Sequence, residues 1–414
     1  MRYCLLAVLF LRVVAGQSPS RSAEIESARE EKAKSLKPEV VSKTENRLLR
    51  IKDDKILERF SAGFNGWRAK IGNMVVGGGF AIGPEYHRED LWGGRLTLRS
   101  AAQVSTRGYY KFDNQWTLPK LAREKAYLNF YTVHHNYNSI NYYGPGPDST
   151  KGGRANYRLE DTSTEATGAL VPAKGLKLGG TVGYSWINVG PGRDRRFISA
   201  DRIFTPAQVP GIDQQTNFFR YGLFAQHDTR DNPGGPKEGH NFLFQYTWFD
   251  DRKLARHSFR RIDAEIQQMV PLFNRTRVLA FRAKTALTDG DGNQVAPFYL
   301  QPVLGGSDDL RGFRPFRFSD RNMFVMNGEY RWEIFSGLDG AVFADAGKVF
   351  ARRGQLNFAN LESAVGFGLR FNARNTTSIR IDVGFSHEGF QVWFKFSDVF
   401  AQRPFGAALT QPVF

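Results

Sequence analysis

Asn241-Phe-Leu-Phe-Gln-Tyr-Thr-Trp248 alternates with a period of two: Phe242, Phe244, Tyr246 and Trp248 share one face, and Leu243, Gln245 and Thr247 the other. Successive side chains of a strand point to opposite faces, so the stretch reads as a β-strand with one aromatic side. The pattern repeats outward from there. Ile262, Ala264 and Ile266 oppose Arg261, Asp263, Glu265 and Gln267. Leu279, Phe281 and Ala283 oppose Ala280, Arg282 and Lys284. Val365, Phe367, Leu369 and Phe371 oppose Gly366, Gly368 and Arg370. Ile379, Ile381, Val383 and Phe385 oppose Arg380, Asp382 and Gly384, and Phe390, Val392, Phe394 and Phe396 oppose Gln391, Trp393 and Lys395. A soluble sandwich also alternates, because it buries one face and wets the other. Here the polar face carries full charges of both signs on strand after strand, and the apolar face carries large aromatics. Lipid outside and a polar lumen inside account for both, so a transmembrane barrel ranks above a secreted β-sandwich.

Strands are expected over roughly 66–73, 75–86, 92–105, 107–118, 124–137, 155–168, 174–187, 217–228, 239–250, 258–271, 276–289, 322–335, 338–349, 361–372, 376–386 and 389–399. About sixteen strands is an even number, as bacterial barrels require. The fold class is therefore all-β: a transmembrane antiparallel β-barrel over residues 61–400, with a short N-terminal segment that is a candidate helix. The connections 138–154, 188–216 and 290–321 are long and the others short, so the long ones are expected on the cell exterior.

Composition agrees with this class. The 414 residues include 35 Phe, 15 Tyr and 7 Trp, yet the mean hydropathy is −0.43. Beyond the N-terminus, no run approaches the roughly 18 to 20 apolar residues of a spanning helix. Residues 1–16 read as a signal peptide: Arg2, then the apolar stretch Leu5–Leu11, then Val14-Ala15-Gly16, with Arg12 interrupting. The single cysteine, Cys4, lies within it, so the mature chain has no disulfide or thiol chemistry. Residues 17–60 are dense in Glu, Lys and Arg and read as a charged linker. Within them, Leu48, Leu49, Ile51, Ile56 and Leu57 have the spacing of a short amphipathic helix, and a solvated linker is the alternative. A tail, residues 401–414, follows the barrel. The net charge of +16 has no accompanying nucleic-acid motif. Outer-membrane lipids, including anionic headgroups, and a charged lumen are the expected counterparts.

No Gly-x-Ser-x-Gly elbow and no His-Glu-x-x-His motif is present, so neither an enzyme nor a cofactor site is expected. His134 and His135 are adjacent on one strand and point to opposite faces, which argues against a shared metal.

Four segments carry a resemblance. They are Tyr142-Tyr-Gly-Pro-Gly-Pro-Asp148; His227-Asp-Thr-Arg-Asp-Asn-Pro233 with Pro236 and Gly239; Leu310-Arg-Gly-Phe313; and Phe343-Ala-Asp-Ala-Gly-Lys-Val349. In this order and spacing they resemble the bacterial surface antigen, or BamA/TamA-like, superfamily of outer-membrane barrels. The second resembles that family's turn motif, here Asp228, Arg230, Asp231 and Gly239. The resemblance implies a bacterial outer-membrane location and a loop carrying Arg311 that folds back into the lumen. An unpaired guanidinium there is costly, so Arg311 needs carboxylates. Glu329, Arg331 and Glu333 share one face of their strand, and Asp345 is in phase with Phe343 on the next. Glu329 and Asp345 are the expected partners of Arg311, with Gly312 allowing the sharp turn and Phe313 packing the loop tip.

The resemblance further implies a role in inserting or translocating proteins, through a weak seam between the first and last strands. Client barrel proteins or a periplasmic partner are the implied contacts. A passive channel is the alternative function. Residues 17–60 are too short for a periplasmic POTRA module, so a member lacking such modules is expected. Gly77-Gly-Gly79 either weakens the first strands at the seam or forms a turn. Phe394, Phe396 and Phe400 are candidates to end the last strand, and the tail after them either keeps a terminal aromatic cue at Phe414 or tucks into the lumen.

Overall fold

The computed structural model describes residues 25–27, 29–31, 64–373 and 376–401. Residues 25–27 and 29–31 are helical and belong to a unit separate from the strands. The expected signal peptide, the amphipathic helix within 46–60 and the tail beyond Ala401 lie outside the described residues. No described helix is long and apolar enough to cross a membrane.

Sixteen strands form one antiparallel sheet in chain order. They are β1 (Trp67–Gly72), β2 (Ala81–Leu91), β3 (Leu96–Ser105), β4 (Tyr110–Leu121), β5 (Ala126–Tyr142), β6 (Ala155–Ala173), β7 (Leu176–Pro191), β8 (Phe218–Asp228), β9 (Gly239–Asp251), β10 (Phe259–Leu272) and β11 (Arg277–Gly290). After a long connection come β14 (Asn322–Phe335), β15 (Leu338–Phe350), β16 (Glu362–Ala373), β17 (Thr376–Ser386) and β18 (Gly389–Lys395). That connection contains a small hairpin of its own, β12 (Val303–Leu304) with β13 (Phe318–Ser319).

Burial follows the alternation, inside out. Phe244, Phe281, Ile266 and Leu223 are between 49% and 62% exposed, whereas Arg261, Arg311, Arg370 and Arg380 are among the largest fully buried side chains. In a soluble sandwich these two sets would exchange places. Register explains the match: Thr247 pairs with Arg261, Gln245 with Asp263 and Phe244 with Ala264. Inward rows are therefore polar and outward rows apolar. Arg261 Nε donates to Asp263 Oδ2 at 2.7 Å within one such inward row.

Three expectations are corrected. The second strand does not begin at 75 but at Ala81; Gly77 (φ +75°) and Gly79 (φ +81°) lie in the connection before it, so these glycines form a turn. β5, β6 and β7 run further than the sequence suggested, to 17, 19 and 16 residues, well past the roughly 9 to 11 that cross a bilayer. Their long-loop ends carry Tyr137, Ile140, Tyr142, Tyr157 and Leu159, which pack with Phe218, Phe249, Phe259, Phe298 and Tyr299 into an aromatic core. Finally, β18 stops at Lys395, and Phe400 is not part of it but fully buried.

The sheet ends at β1 on one side and β18 on the other, and among the described residues no ladder joins them. The Phe80 and Phe396 rings are 5.8 Å apart, and a Cβ placed on Gly72 would stand 4.0 Å from Phe396 Cβ. The two edges thus approach each other without pairing.

Candidate functional site

The β11–β14 connection carries Arg311 to the inward face of β14–β17. Arg311 is fully buried. Its Nε donates to Asp345 Oδ2 at 2.9 Å and its Nη2 to Asp345 Oδ1 at 2.8 Å, a two-pronged pairing. Its main-chain N–H adds a bond to Asp345 Oδ2 at 3.0 Å, and Nη1 donates to Glu329 Oε2 at 2.7 Å. The guanidinium lies over the Phe343 ring, 3.4 Å from its centroid. Burial alone disfavours the cation, but Asp345, Glu329 and Asp382 outweigh it, and the arginine pKa is raised.

Strand parity explains why these groups meet. Glu329 and Arg331 lie two apart on β14 and so face the same way, and Asn327 pairs with Asp345 across β14–β15. Asn327 Nδ2 donates to Asp345 Oδ1 at 2.7 Å, which fixes the carboxylate that receives Arg311. Gly312 lies tight against the wall: an added Cβ would stand 2.7 Å from Phe385 O and 2.8 Å from Ala364 Cβ. Ser386 Oγ donates to Gly312 O at 2.9 Å, and Trp393 Nε1 to Arg311 O at 2.7 Å. Phe313 is fully buried with Leu304, Leu310, Phe318, Met323 and Val325.

Several participants were not assigned to this site from the sequence. Glu329 Oε1 also accepts from Arg331 Nε at 2.8 Å and from Arg370 Nη2 at 2.9 Å, and Arg370 Nη1 donates to Asp382 Oδ1 at 2.6 Å. Asp382 stands 3.4 Å from Arg380, and Arg331 Nη2 reaches Asp398 at 3.0 Å. Their signal was present, since Arg370, Arg380 and Asp382 all sit in polar phase on their strands. Which inward rows become neighbours depends on the stagger between strands, and no single strand encodes that. Glu333, in phase with Glu329, is exposed at the end of β14 and takes no part.

The turn motif lies at the opposite, short-turn end. Arg230 is buried and pairs with Asp228 through Nε (2.9 Å) and Nη2 (2.7 Å). Asp231 Oδ1 accepts from the main-chain N–H groups of Lys237 (3.0 Å) and Glu238 (3.2 Å), closing the turn. Gly239 has φ +97°, and a Cβ there would meet Thr229 O at 2.5 Å, so glycine is required. The Tyr142–Asp148 segment meets the β12–β13 hairpin, where Gly146 N–H donates to Ser319 O at 2.8 Å. His134 and His135 do face opposite ways. His134 bonds Thr162 at 2.8 Å on the outer face, and His135 is fully buried beside Asp161 at 3.0 Å on the lumenal face.

An apolar outer wall, a charged interior and an arginine loop bonded to strand carboxylates define a transmembrane β-barrel of the outer-membrane type. The Omp85 superfamily domain matches residues 96–397, and the chain belongs to that superfamily of outer-membrane barrels. Among solved structures it is similar to BamA from Haemophilus ducreyi lacking POTRA domains 1–3, with a TM-score of 0.59 and 14% identity over 81% of this chain and 70% of that one. It is also similar to CdiB from Escherichia coli, with a TM-score of 0.56 and 12% identity over 80% of this chain and 61% of that one. At such identities the likeness is one of fold. No curated protein sequence matches the chain.

Proposed function

We propose that this barrel acts in the insertion or translocation of proteins at the outer membrane, using the edges of β1 and β18 as a lateral seam. The observation that carries this reading is the absence of a ladder between those edges among the described residues. An unpaired strand edge offers main-chain donors and acceptors to an incoming strand, and strand addition supplies affinity without demanding a particular sequence. In this reading Arg311, Gly312 and Phe313, held by Glu329 and Asp345, form a lock in the lumen. The lock keeps the wall beside the seam, β14–β17, rigid while the seam opens. Client barrels, or a separate periplasmic partner that delivers them, are the proposed contacts, together with outer-membrane lipids and their anionic headgroups. In this reading residues 61–400 are the barrel domain, whose last strand ends at Lys395, and residues 17–60 a charged linker or short amphipathic helix.

Gly72→Cys with Phe396→Cys tests the seam, because Cβ atoms about 4 Å apart suit a disulfide. The oxidised barrel in liposomes should stop accelerating the folding of an added client barrel, and reduction should restore it. Equal client folding in both redox states, or large steady conductance without any client effect, overturns the reading.

A further inference from the structure

After Lys395 the chain turns into the barrel interior. Asp398 Oδ1 accepts from Arg331 Nη2 at 3.0 Å and from the Phe400 N–H at 2.8 Å, and Asp398 Oδ2 accepts from Thr377 Oγ1 at 3.1 Å. Val399 O accepts from Arg282 Nη1 at 3.1 Å, and Phe400 O from Arg230 Nη1 at 2.7 Å. The Phe400 ring is fully buried with Met269, Val278 and Ala280, and Arg331 lies 5.1 Å from its centroid.

Each guanidinium is itself braced. Asp228 holds Arg230, Glu329 holds Arg331, and Asn327 Oδ1 accepts from Arg282 Nε at 3.0 Å. Fixed cations directed at two main-chain carbonyls and one carboxylate, beside an apolar pocket for one ring, make a peptide-recognition arrangement. The carbonyl contacts supply affinity, and the carboxylate and ring supply selectivity.

We propose that Arg230, Arg282 and Arg331 form a peptide-binding site at the short-turn end of the lumen, selective for an Asp-x-Phe segment, and that the chain's own residues 398–400 fill it in cis. The site also governs the seam. Phe396, one residue beyond β18 and two before Asp398, approaches Gly72 and Phe80. Occupancy by the chain's own residues 398–400 therefore fixes the end of β18 beside β1, and their release frees it. Arg331 shares Glu329 with Arg311, so the clasp and the Arg-Gly-Phe loop lean on one carboxylate. The proposal stands whether or not the barrel inserts clients.

The test uses the full chain carrying Asp398→Asn and Phe400→Ala, and a fluorescent peptide of sequence Ser-Asp-Val-Phe-Ala, matching residues 397–401. Peptide anisotropy should rise saturably with the variant barrel and stay flat with the parent, whose site is occupied. A peptide with Asn for Asp and Ala for Phe should not bind either. The disulfide between Cys substituted at Gly72 and Phe396 should form several-fold more slowly in the variant, and added peptide, which fills the site without tethering Phe396, should leave it slow. A heat-modifiable variant that takes up no peptide, or equal binding by parent and variant, overturns the proposal. If the double variant does not fold, Asp398→Asn alone must still slow cross-linking, and a parent rate there overturns it equally.

Discussion

The wall formed by β14–β17 and the edge formed by β1 and β18 belong to one sheet but are built differently. On the wall, β14 and β15 pair from Asn322↔Phe350 to Phe335↔Leu338, and Glu329 alone receives three arginines. At the edge, β1 has six residues, and its inward cations Arg68 and Lys70 are 35% and 25% exposed beside Glu85 and Asp113. Buried ion pairs contribute little net stability compared with apolar packing, but losing one partner is costly because the other charge stays buried. Exposed pairs are screened and contribute little either way. The same chemistry therefore makes the wall intolerant of change and leaves the edge adjustable.

That contrast can be broken by substitution. Arg311→Ala takes the guanidinium partner from buried Asp345, while Glu329 keeps Arg331 and Arg370, and should cost about 3–5 kcal/mol, read as a lower temperature for loss of the heat-modifiable gel form. Phe244→Lys places a charge on the outer face and should cost about 2–4 kcal/mol if that face meets mid-bilayer hydrocarbon; insensitivity would undercut the inside-out assignment. Gly312→Ala pushes a methyl group against Phe385 O and should cost about 1–3 kcal/mol in urea unfolding from bilayers. Arg68→Ala, at the edge, should cost no more than about 1 kcal/mol, since Arg68 is 35% exposed and buried Glu85 keeps Lys70 and Arg99. An Arg68 effect as large as that of Arg311 would erase the distinction between wall and edge.

Much of the barrel was legible because its strands obey a strict two-residue alternation, which depends on local geometry alone. The failures have physical causes. Met74, Val75 and Val76 look like the start of a strand, but the left-handed Gly77 and Gly79 turn the chain there. Asn136, Asn138 and Ser139 interrupt the apolar pattern of β5, although the strand continues above the lipid band, where polar residues are tolerated on both faces. The sequence also suggested Glu329 and Asp345 for Arg311, since parity placed both on inward faces. Arg370, Arg380, Asp382 and Asp398 required the stagger between strands. Phe400 continues the phase of Phe394 and Phe396, and Asp398, a charge at an apolar-phase position, was the one local sign that the strand had ended.

The seam can be tested most directly by backbone hydrogen exchange, strand by strand, with the barrel in a lipid nanodisc. Peptides covering 67–72 and 389–395 should exchange while those covering 322–350 remain protected, because exchange follows local opening and only the former lack a ladder on one side. Uniform protection around the barrel would contradict a seam between β1 and β18.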